Sequence, residues 1–391
     1  MPTADIKNQD PTYNEQRPFL GLSSFKEENK GQFGGRDTEI KDLYNLVENH
    51  PLTIVFGKSG IGKTSLLQAG LIPELQRNFY LPVYLRIDYE SKKSPLQQAR
   101  DMIYKKFKSK DEKVTECANK TLWEWLHDEQ IQDGLMTPVL LFDQFEEAFT
   151  LGRKRSQEVL EFILELSDLA ENRVPLVVQN DYKSRNAILP ARYADQKMRM
   201  IISLREDYLA QLESLKTYLP SIKNSRYRIV QMTVIQAMEA ILKPARNLID
   251  KNCAEEIIKK LPGITDRDFD ESAEDSDQVK RLVVEPFLLS LICFKFNEIR
   301  IDRKMDKISP ELVRELKIED ITYSFYDDTM KQFGSNVNEG VEISLLTESG
   351  NRKLESLEQL QNHYHIDNET ISALIDKRII RQENRDGVEY V

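Results

Sequence analysis

Cysteine and histidine are scarce in this chain of 391 residues. The three cysteines, Cys117, Cys253 and Cys293, lie far apart, and the four histidines form no cluster. This spacing fits neither a metal centre nor a framework of disulfides, so reduced thiols and a cytoplasmic location are expected. The N-terminus also lacks the basic and then apolar pattern of a signal peptide.

Long apolar runs and an excess of positive charge are absent as well. The longest apolar segment, 283–296, is interrupted by Glu285, Pro286 and Lys295, so it is too short and too polar to span a membrane. Acidic residues outnumber basic ones by 65 to 55, which disfavours a broad nucleic-acid surface. An apolar content of 40% suffices for sizeable cores, and the length is typical of several domains of ~100–200 residues each.

The sequence contains a phosphate-binding loop. An apolar, β-branched run, 52–56, leads into the motif G-x-x-x-x-G-K-T, and a helical pattern follows it. In this motif the glycines let backbone N–H groups surround a polyphosphate at the start of a helix. Lys63 is expected to reach the β- and γ-phosphates, and the Thr64 hydroxyl is expected to bind Mg²⁺. The predicted nucleotide contacts are Gly57, Lys58, Ser59, Gly60, Ile61, Gly62, Lys63, Thr64 and Ser65.

A second chemical motif follows the apolar run 138–142. Asp143 stands at the carboxyl end of this predicted strand, where open α/β sheets bind ligands, and it is expected to hold Mg²⁺. Glu146 and Glu147 follow closely enough to orient an attacking water. The alternative for these two glutamates is a helix N-terminus, which favours acidic side chains.

A third predicted strand, 198–204, ends at Arg205. An arginine at this position can sense or stabilise the γ-phosphate, whereas the structural alternative is an ion pair with Glu206 or Asp207. Because this strand is expected to lie parallel to the strand that ends at Asp143, both side chains should face the same crevice.

Six motifs, taken in order, resemble those of the STAND class, the signal-transduction ATPases with numerous domains, in its bacterial novel STAND branch. They are Arg17-Pro18-Phe19-x-Gly21-Leu22, Phe33-Gly34-Gly35-Arg36-Asp37-x-Glu39, Gly57 to Ser65, Leu71-Ile72-Pro73-x-Leu75, Asp143-Gln144-Phe145-Glu146-Glu147 and Ser203-Leu204-Arg205-x-Asp207. The resemblance implies an adenine-side role for Gly35 and Arg36, and a γ-phosphate sensor role for Arg205. It also implies that Pro286 packs near the nucleotide base.

Composition, residue pattern and the resemblance together predict a domain organisation. A flexible tail, 1–17, precedes an α/β P-loop NTPase domain, 18–228, whose parallel sheet is flanked by helices. An all-α lid, 229–305, contains an acidic loop, and a winged-helix domain, 306–391, follows. The presumed recognition helix of this last domain mixes acidic and basic residues, so a regulatory packing role is favoured over DNA binding.

These features predict an ATP-dependent signal-transduction switch with ATP or ADP and Mg²⁺ as ligands. Hydrolysis is expected to be slow, because Gln144 stands where many related AAA+ enzymes carry a catalytic glutamate. Nucleotide state should control the lid, the winged helix and self-association, in bacterial defence or stress signalling. Effector and sensor partners are expected outside this sequence, and neither a membrane nor nucleic acid is expected as a partner. The main alternative is a DNA-acting AAA+-like ATPase, such as an initiator or transposition helper; a small-molecule kinase is a weaker one.

Overall fold

A five-stranded parallel sheet forms the centre of the N-terminal half. The computed structural model describes residues 15–114, 120–128, 135–195, 198–262, 264, 283–346, 353, 355–377, 379–380, 383–385 and 388–391. The strands lie in the order β2-β3-β4-β1-β5, with all neighbours parallel. They are β1 (Leu52–Gly57), β2 (Tyr80–Leu85), β3 (Thr137–Phe142), β4 (Arg199–Arg205) and β5 (Arg226–Arg228). The predicted α/β P-loop fold class is therefore confirmed, although β5 was not predicted.

Helices cover both faces of this sheet. Alternate residues of β3 point to opposite faces, so that Val139 and Leu141 pack in one apolar core while Leu140 and Phe142 pack in the other. The first face carries α1 (Asp37–Asn49) and α2, which continues over Lys63–Ser65, Leu66–Leu71 and Ile72–Arg77. Five further helices follow in the sheet domain, and each supplies residues to the second core: α3 (Pro95–Lys108), α4 (Leu122–Asp128), α5 (Ser156–Ala170), α6 (Leu176–Ser184) and α7 (Leu209–Ser214).

The helical region predicted as the lid follows β5 directly, and we keep the name lid for it. Three helices share its apolar core, α8 (Val234–Leu242), α9 (Lys251–Lys259) and α10 (Pro286–Asp302). The short strands β6 (Met232–Thr233) and β7 (Val283–Val284) pair antiparallel beside them. The same core continues past the predicted lid boundary, because it includes residues of α11 (Pro310–Glu315) and Ile321 of α12 (Ile318–Met330). The predicted acidic loop and residues 1–14 of the predicted tail lie outside the described residues.

The part of the chain from Met330 to Val391, which we call the C-terminal module, has a small core of its own that includes Met330, Leu360 and Leu374. A helix and then an antiparallel hairpin end it, in the order expected from the sequence. The assignment of this arrangement as a winged helix stays a prediction. Its elements after α12 are α13 (Ser335–Leu345), α14 (Leu357–Asn362), α15 (Asn368–Asp376), β8 (Glu383–Arg385) and β9 (Val388–Tyr390).

Two adjacent glycines let the lid lie directly against the start of α1. A Cβ atom on Gly34 would lie 2.9 Å from the carbonyl oxygen of Glu239, in α8. A Cβ atom on Gly35 would lie only 2.1 Å from the carbonyl oxygen of Gln236 in the same helix. Gly35 also has a φ of +77°, which lies in the left-handed region that favours glycine. The lid can therefore approach this closely because no side chain intervenes.

A buried ionic network fixes the same contact. Arg36, only 2% exposed, pairs with Glu39 at 2.5 Å, and its Nη2 donates to the carbonyl oxygen of Val230 at 2.9 Å. The same nitrogen donates to the carbonyl oxygen of Ile61, in the phosphate-binding loop, at 3.4 Å. From the lid, Gln236 Nε2 donates to both carboxylate oxygens of Glu39, at 3.0 and 3.1 Å. Arg36 thus ties the phosphate-binding loop to the lid.

The N-terminal strap, residues 16–25, makes a second connection between these parts. Asn297 Nδ2 and Arg300 Nη2, on α10, each donate to the carbonyl oxygen of Gln16 at 2.9 Å. Phe19 is buried in the lid core. At the other end of the strap, the Phe25 N–H donates to Ser65 Oγ at 3.1 Å. The strap therefore spans from the helix of the phosphate-binding loop to α10.

Gly35→Ala should destabilise the docked lid, because the new methyl group meets the backbone of α8 and φ is strained. We expect a loss of about 1–3 kcal/mol in the free energy of unfolding, as for overpacked sites. Urea unfolding followed by circular dichroism measures it. Gly31→Ala is the control, since a Cβ there meets nothing within 4 Å. Equal stability of the two variants would contradict this account of the contact.

Arg36→Met should leave the Glu39 carboxylate buried without its ionic partner. Breaking a buried pair from one side costs about 3–5 kcal/mol. Arg77→Met is a matched control, because Arg77 also pairs at 2.5 Å with a glutamate three residues away, yet its side chain is 69% exposed. The control should lose at most about 1 kcal/mol. Similar unfolding free energies for both variants would show that burial does not make the Arg36 pair important.

Candidate active site

A cleft of about 1590 Å³ lies between the sheet, the strap, the lid and the C-terminal module. The structure brings most of the predicted site residues together along its walls. Gly35, Gly57, Lys58 and Asp143 are not among the residues that line it. Those that do are Arg36, Ser59, Gly60, Ile61, Gly62, Lys63, Thr64, Ser65, Glu146, Glu147, Arg205 and Pro286.

The phosphate-binding loop connects β1 to α2. Gly62 has a φ of +95°, a conformation that glycine adopts without strain, and Lys63 begins the helix. Lys63 Nζ donates to the carbonyl oxygens of Gly57 and Lys58, both at 3.0 Å, so its ammonium group lies within the loop. Burial lowers the pKa of Lys63, while the nearby carboxylate of Glu146 opposes this shift. A polyphosphate bound here would supply negative charge to a desolvated lysine.

Asp143 follows the last residue of β3 and is only 4% exposed. Its Oδ2 accepts hydrogen bonds from Thr64 Oγ1 at 2.6 Å and from the Tyr84 hydroxyl at 2.9 Å. Its Oδ1 accepts from Ser203 Oγ at 2.8 Å and from the Gln144 N–H at 3.0 Å. Tyr84 and Ser203 were not predicted; a serine inside the apolar run of β4 was the available signal.

The two predicted Mg²⁺ ligands therefore adjoin each other. Thr64 supplies a hydroxyl oxygen and Asp143 a carboxylate, and a Mg²⁺ site of few protein oxygens completed by phosphates is common in nucleotide enzymes. Within the described residues, no three His, Cys, Asp or Glu side chains form a metal-binding group. The donor set thus fits Mg²⁺ that is bound together with a nucleotide.

The two candidate glutamates make different contacts. Glu146 is half-buried near Lys63, and its Oε2 accepts a hydrogen bond from the Arg205 N–H at 3.2 Å. Burial raises the pKa of Glu146, and the Lys63 charge opposes that rise. Glu147 instead forms an ion pair with Arg86 at 3.1 Å. The sequence could not separate them, because both belong to one short turn, Phe145–Ala148.

Arg205 lies at the carboxyl end of β4, opposite Gly57 of β1. Its Nη2 pairs with Asp207 at 2.6 Å, and its guanidinium lies 5.6 Å from the centre of the Tyr208 ring. The ion pair considered from the sequence is therefore present, and the arginine also lines the cleft. The parallel strands place Arg205 at the same edge of the sheet as Asp143, as expected.

The residues assigned to the base end of the nucleotide lie near the lid. Pro286 begins α10 and lines the cleft. The guanidinium of Arg36 is engaged with Glu39 and two backbone carbonyls, and Gly34 lines the cleft where Gly35 does not. The roles assigned to Gly35, Arg36 and Pro286 stay predictions.

The C-terminal module contributes to the same cleft, which was not predicted. Leu357 of α14 lines the cleft, and so do Asn368, Glu369 and Ser372 of α15. The backbone of β8 lies against the turn Glu206–Tyr208, which follows Arg205. The presumed recognition helix of the predicted winged helix, α15, thus lines the same cleft as the phosphate-binding loop.

Several solved structures are similar to this chain. ORC2 of Aeropyrum pernix, in ADPNP and ADP complexes, has a TM-score of 0.50 at 11% identity, over 91% of this chain and 89% of that chain. A Walker-type ATPase of Pyrococcus abyssi has a TM-score of 0.46 at 13% identity, over 94% of each chain. ORC1 of Aeropyrum pernix in complex with DNA has a TM-score of 0.47 at 11% identity, over 93% of this chain and 90% of that chain.

At 11% identity the likeness to ORC2 shows the fold alone. The expectation that nucleic acid is no partner stays a prediction. Every helix in the described part of the chain is too short or too polar to cross a bilayer.

Sequence comparison gives the more specific result. No curated protein shows significant similarity to the chain. The model of the family described as novel STAND NTPase 1 matches residues 18–263, more than half of the 391 residues. This chain therefore belongs to the novel STAND NTPase 1 family, and it is an enzyme that hydrolyses a nucleoside triphosphate.

Proposed function

We propose that this NTPase is an ATP-driven conformational switch, in which the nucleotide controls the lid and the C-terminal module. One observation carries the proposal: the phosphate-binding loop, the strap, α10 and α15 all line a single cleft. A nucleotide bound there contacts several parts of the protein at once. It shifts their arrangement by as much as its affinities for the two states differ.

The residues at the phosphate end have distinct proposed roles. Lys63 and the backbone of the loop from Gly57 to Ser65 hold the phosphates. Thr64 and Asp143 hold Mg²⁺, which supplies positive charge to the transferring phosphoryl group. Gly35, Arg36 and Pro286 position the base end of the cleft, Arg36 through its hydrogen bonds to Ile61 and Val230.

Glu146, and not Glu147, is the proposed base that orients the attacking water. It lies nearer the buried Lys63, whereas Glu147 is held by Arg86. Gln144 follows Asp143 where many related AAA+ enzymes carry this glutamate, and its backbone takes an unusual positive φ of 56°. A base displaced to the next turn is consistent with slow hydrolysis.

Arg205 is the proposed sensor of the γ-phosphate. It can exchange its ion pair with Asp207 for the added charge of ATP, and its backbone already contacts Glu146. A swing between mostly closed and mostly open states needs about 5.5 kcal/mol of differential binding. Two or three hydrogen bonds to charged groups, at about 1.5–3 kcal/mol each, supply this amount.

The C-terminal module is proposed to act by release. With ADP, α15 stays in the cleft, and with ATP it leaves, which exposes surfaces for self-association and for effector or sensor partners. A regulatory role is favoured over DNA reading because α15 presents Glu369 and Ser372 to the cleft. A role in bacterial defence or stress signalling is supported by the family resemblance.

Glu146→Gln should bind ATP normally but lose nearly all turnover, since an amide cannot accept the proton of water. A loss of about 10²–10⁴-fold is typical for a general base. Glu147→Gln is the matched control and should stay within a few-fold of the wild type. Phosphate release measures both. Loss of turnover in Glu147→Gln alone would reverse the assignment.

Because burial raises the pKa of Glu146, the turnover of the wild-type enzyme should fall with decreasing pH already above the usual glutamate range.

Release of α15 can be tested by hydrogen exchange on the full chain. With Mg²⁺ and a non-hydrolysable ATP analogue, amides of α15 should exchange faster than with ADP, and sedimentation should show larger species once the switch opens. Lys63→Ala should respond to neither nucleotide, whereas Lys41→Ala, at an exposed position of α1, should behave as the wild type. Identical exchange of α15 with both nucleotides would refute the switch. Duplex binding that persists at physiological salt would favour the DNA-acting alternative.

A further inference from the structure

We propose that Gln32 recognises the adenine base through its side-chain amide, and so determines the preference for ATP. The proposal rests on the proposed function in one respect, namely that the nucleotide base lies at the lid end of the cleft. Gln32 belongs to none of the residues assigned from the family motifs. It immediately precedes Phe33, and both line the cleft.

The hydrogen bonding of Gln32 is incomplete. Its Oε1 is buried, and no described residue donates a hydrogen bond to it. A buried carbonyl oxygen without a donor is costly, and most such atoms in proteins have a partner. A donor supplied by a ligand in the same cleft would satisfy this oxygen.

The position of Gln32 fits the base and not the phosphates. The catalytic carboxylates lie at the carboxyl edge of β3, whereas Gln32 lies on the side of α1 and the lid. The ring centres of its neighbour Phe33 and of Phe25 lie 5.8 Å apart. The Phe25 N–H in turn donates a hydrogen bond to Ser65 Oγ, in the first turn of α2. The next residue, Gly34, packs against α8 of the lid. Gln32 therefore stands where the phosphate-binding helix meets the lid.

The surroundings suit a planar base. The apolar residues Phe33, Ile241 and Leu289 line this end of the cleft, and base sites generally combine apolar walls with a few polar groups. The backbone N–H groups of Gln32 and Phe33 both point to the Asn29 carbonyl oxygen, at 2.9 and 3.2 Å, which fixes this short turn. The side chain of Gln32 thus starts from a fixed backbone.

The chemistry favours adenine over guanine. Adenine carries an amino group at C6 that donates, beside the acceptor N7, and a side-chain amide pairs with both atoms. Guanine presents two acceptors, O6 and N7, at the same edge. An amide whose oxygen lacks a donor therefore matches the 6-amino group of adenine and meets the O6 of guanine unfavourably.

The test is a cycle that combines protein variants with base analogues. Binding of ATP and of purine riboside triphosphate, which lacks the 6-amino group, is measured by calorimetry with Mg²⁺ for the wild type and Gln32→Met. The wild type should prefer ATP by roughly tenfold, the usual effect of one hydrogen bond. Gln32→Met should bind both analogues alike, because methionine keeps the length of the side chain but offers no acceptor.

Two further variants keep the test decisive. Gln76→Met removes an exposed amide on α2 that bonds Glu27, and its ATP preference should equal that of the wild type. Gln32→Glu keeps an acceptor and should retain the preference for ATP if Gln32→Met fails to fold. A full preference for ATP in folded Gln32→Met would overturn the proposal. Failure of the wild type to bind either nucleotide would instead refute the proposed function itself.

Discussion

The buried pairing of Arg36 with Glu39 is the interaction on which the arrangement of domains depends. One guanidinium holds the tip of the phosphate-binding loop and the start of the lid, and Gln236 of the lid holds its carboxylate partner. A buried ion pair gains little net stability over the same groups in water, but it tolerates few alternative geometries. In this structure the lid is therefore docked against the start of α1, where Gly34 and Gly35 have no side chains that would keep it away.

This junction brings together two walls of the cleft that differ in chemistry, one on the sheet side and one on the lid side. On the sheet side, Lys63 and Arg205 balance the carboxylates of Asp143 and Glu146. These groups come from the phosphate-binding loop, the ends of β3 and β4, and the turn Phe145–Ala148. On the lid side, the walls are mostly apolar. In the proposed binding mode a nucleotide spans both sides, so that its phosphates change the charge balance on the sheet side while its base packs against the lid side.

Local patterns were sufficient to predict the central strands, the phosphate-binding loop and the Asp143 motif. The edge strand β5 was missed because Arg226-Tyr227-Arg228 is short and has no apolar run. Contacts between distant segments could not be predicted either. Arg36 reaches Val230 across 194 residues, and no sequence pattern records that pairing. Similarly, Glu146 and Glu147 are chemically equivalent in the sequence, and only their folded positions near Lys63, Arg205 and Arg86 separate them.

The N-terminal strap has a consequence for the order of folding during synthesis. Asn297, which donates a hydrogen bond to the strap residue Gln16, lies 281 residues further along the chain. At about 5–20 residues per second, a ribosome needs roughly 15 to 60 seconds to make that partner. Throughout this interval Phe19 has no lid core to enter, so a segment that is synthesised well before the lid is among the last to reach its native contacts.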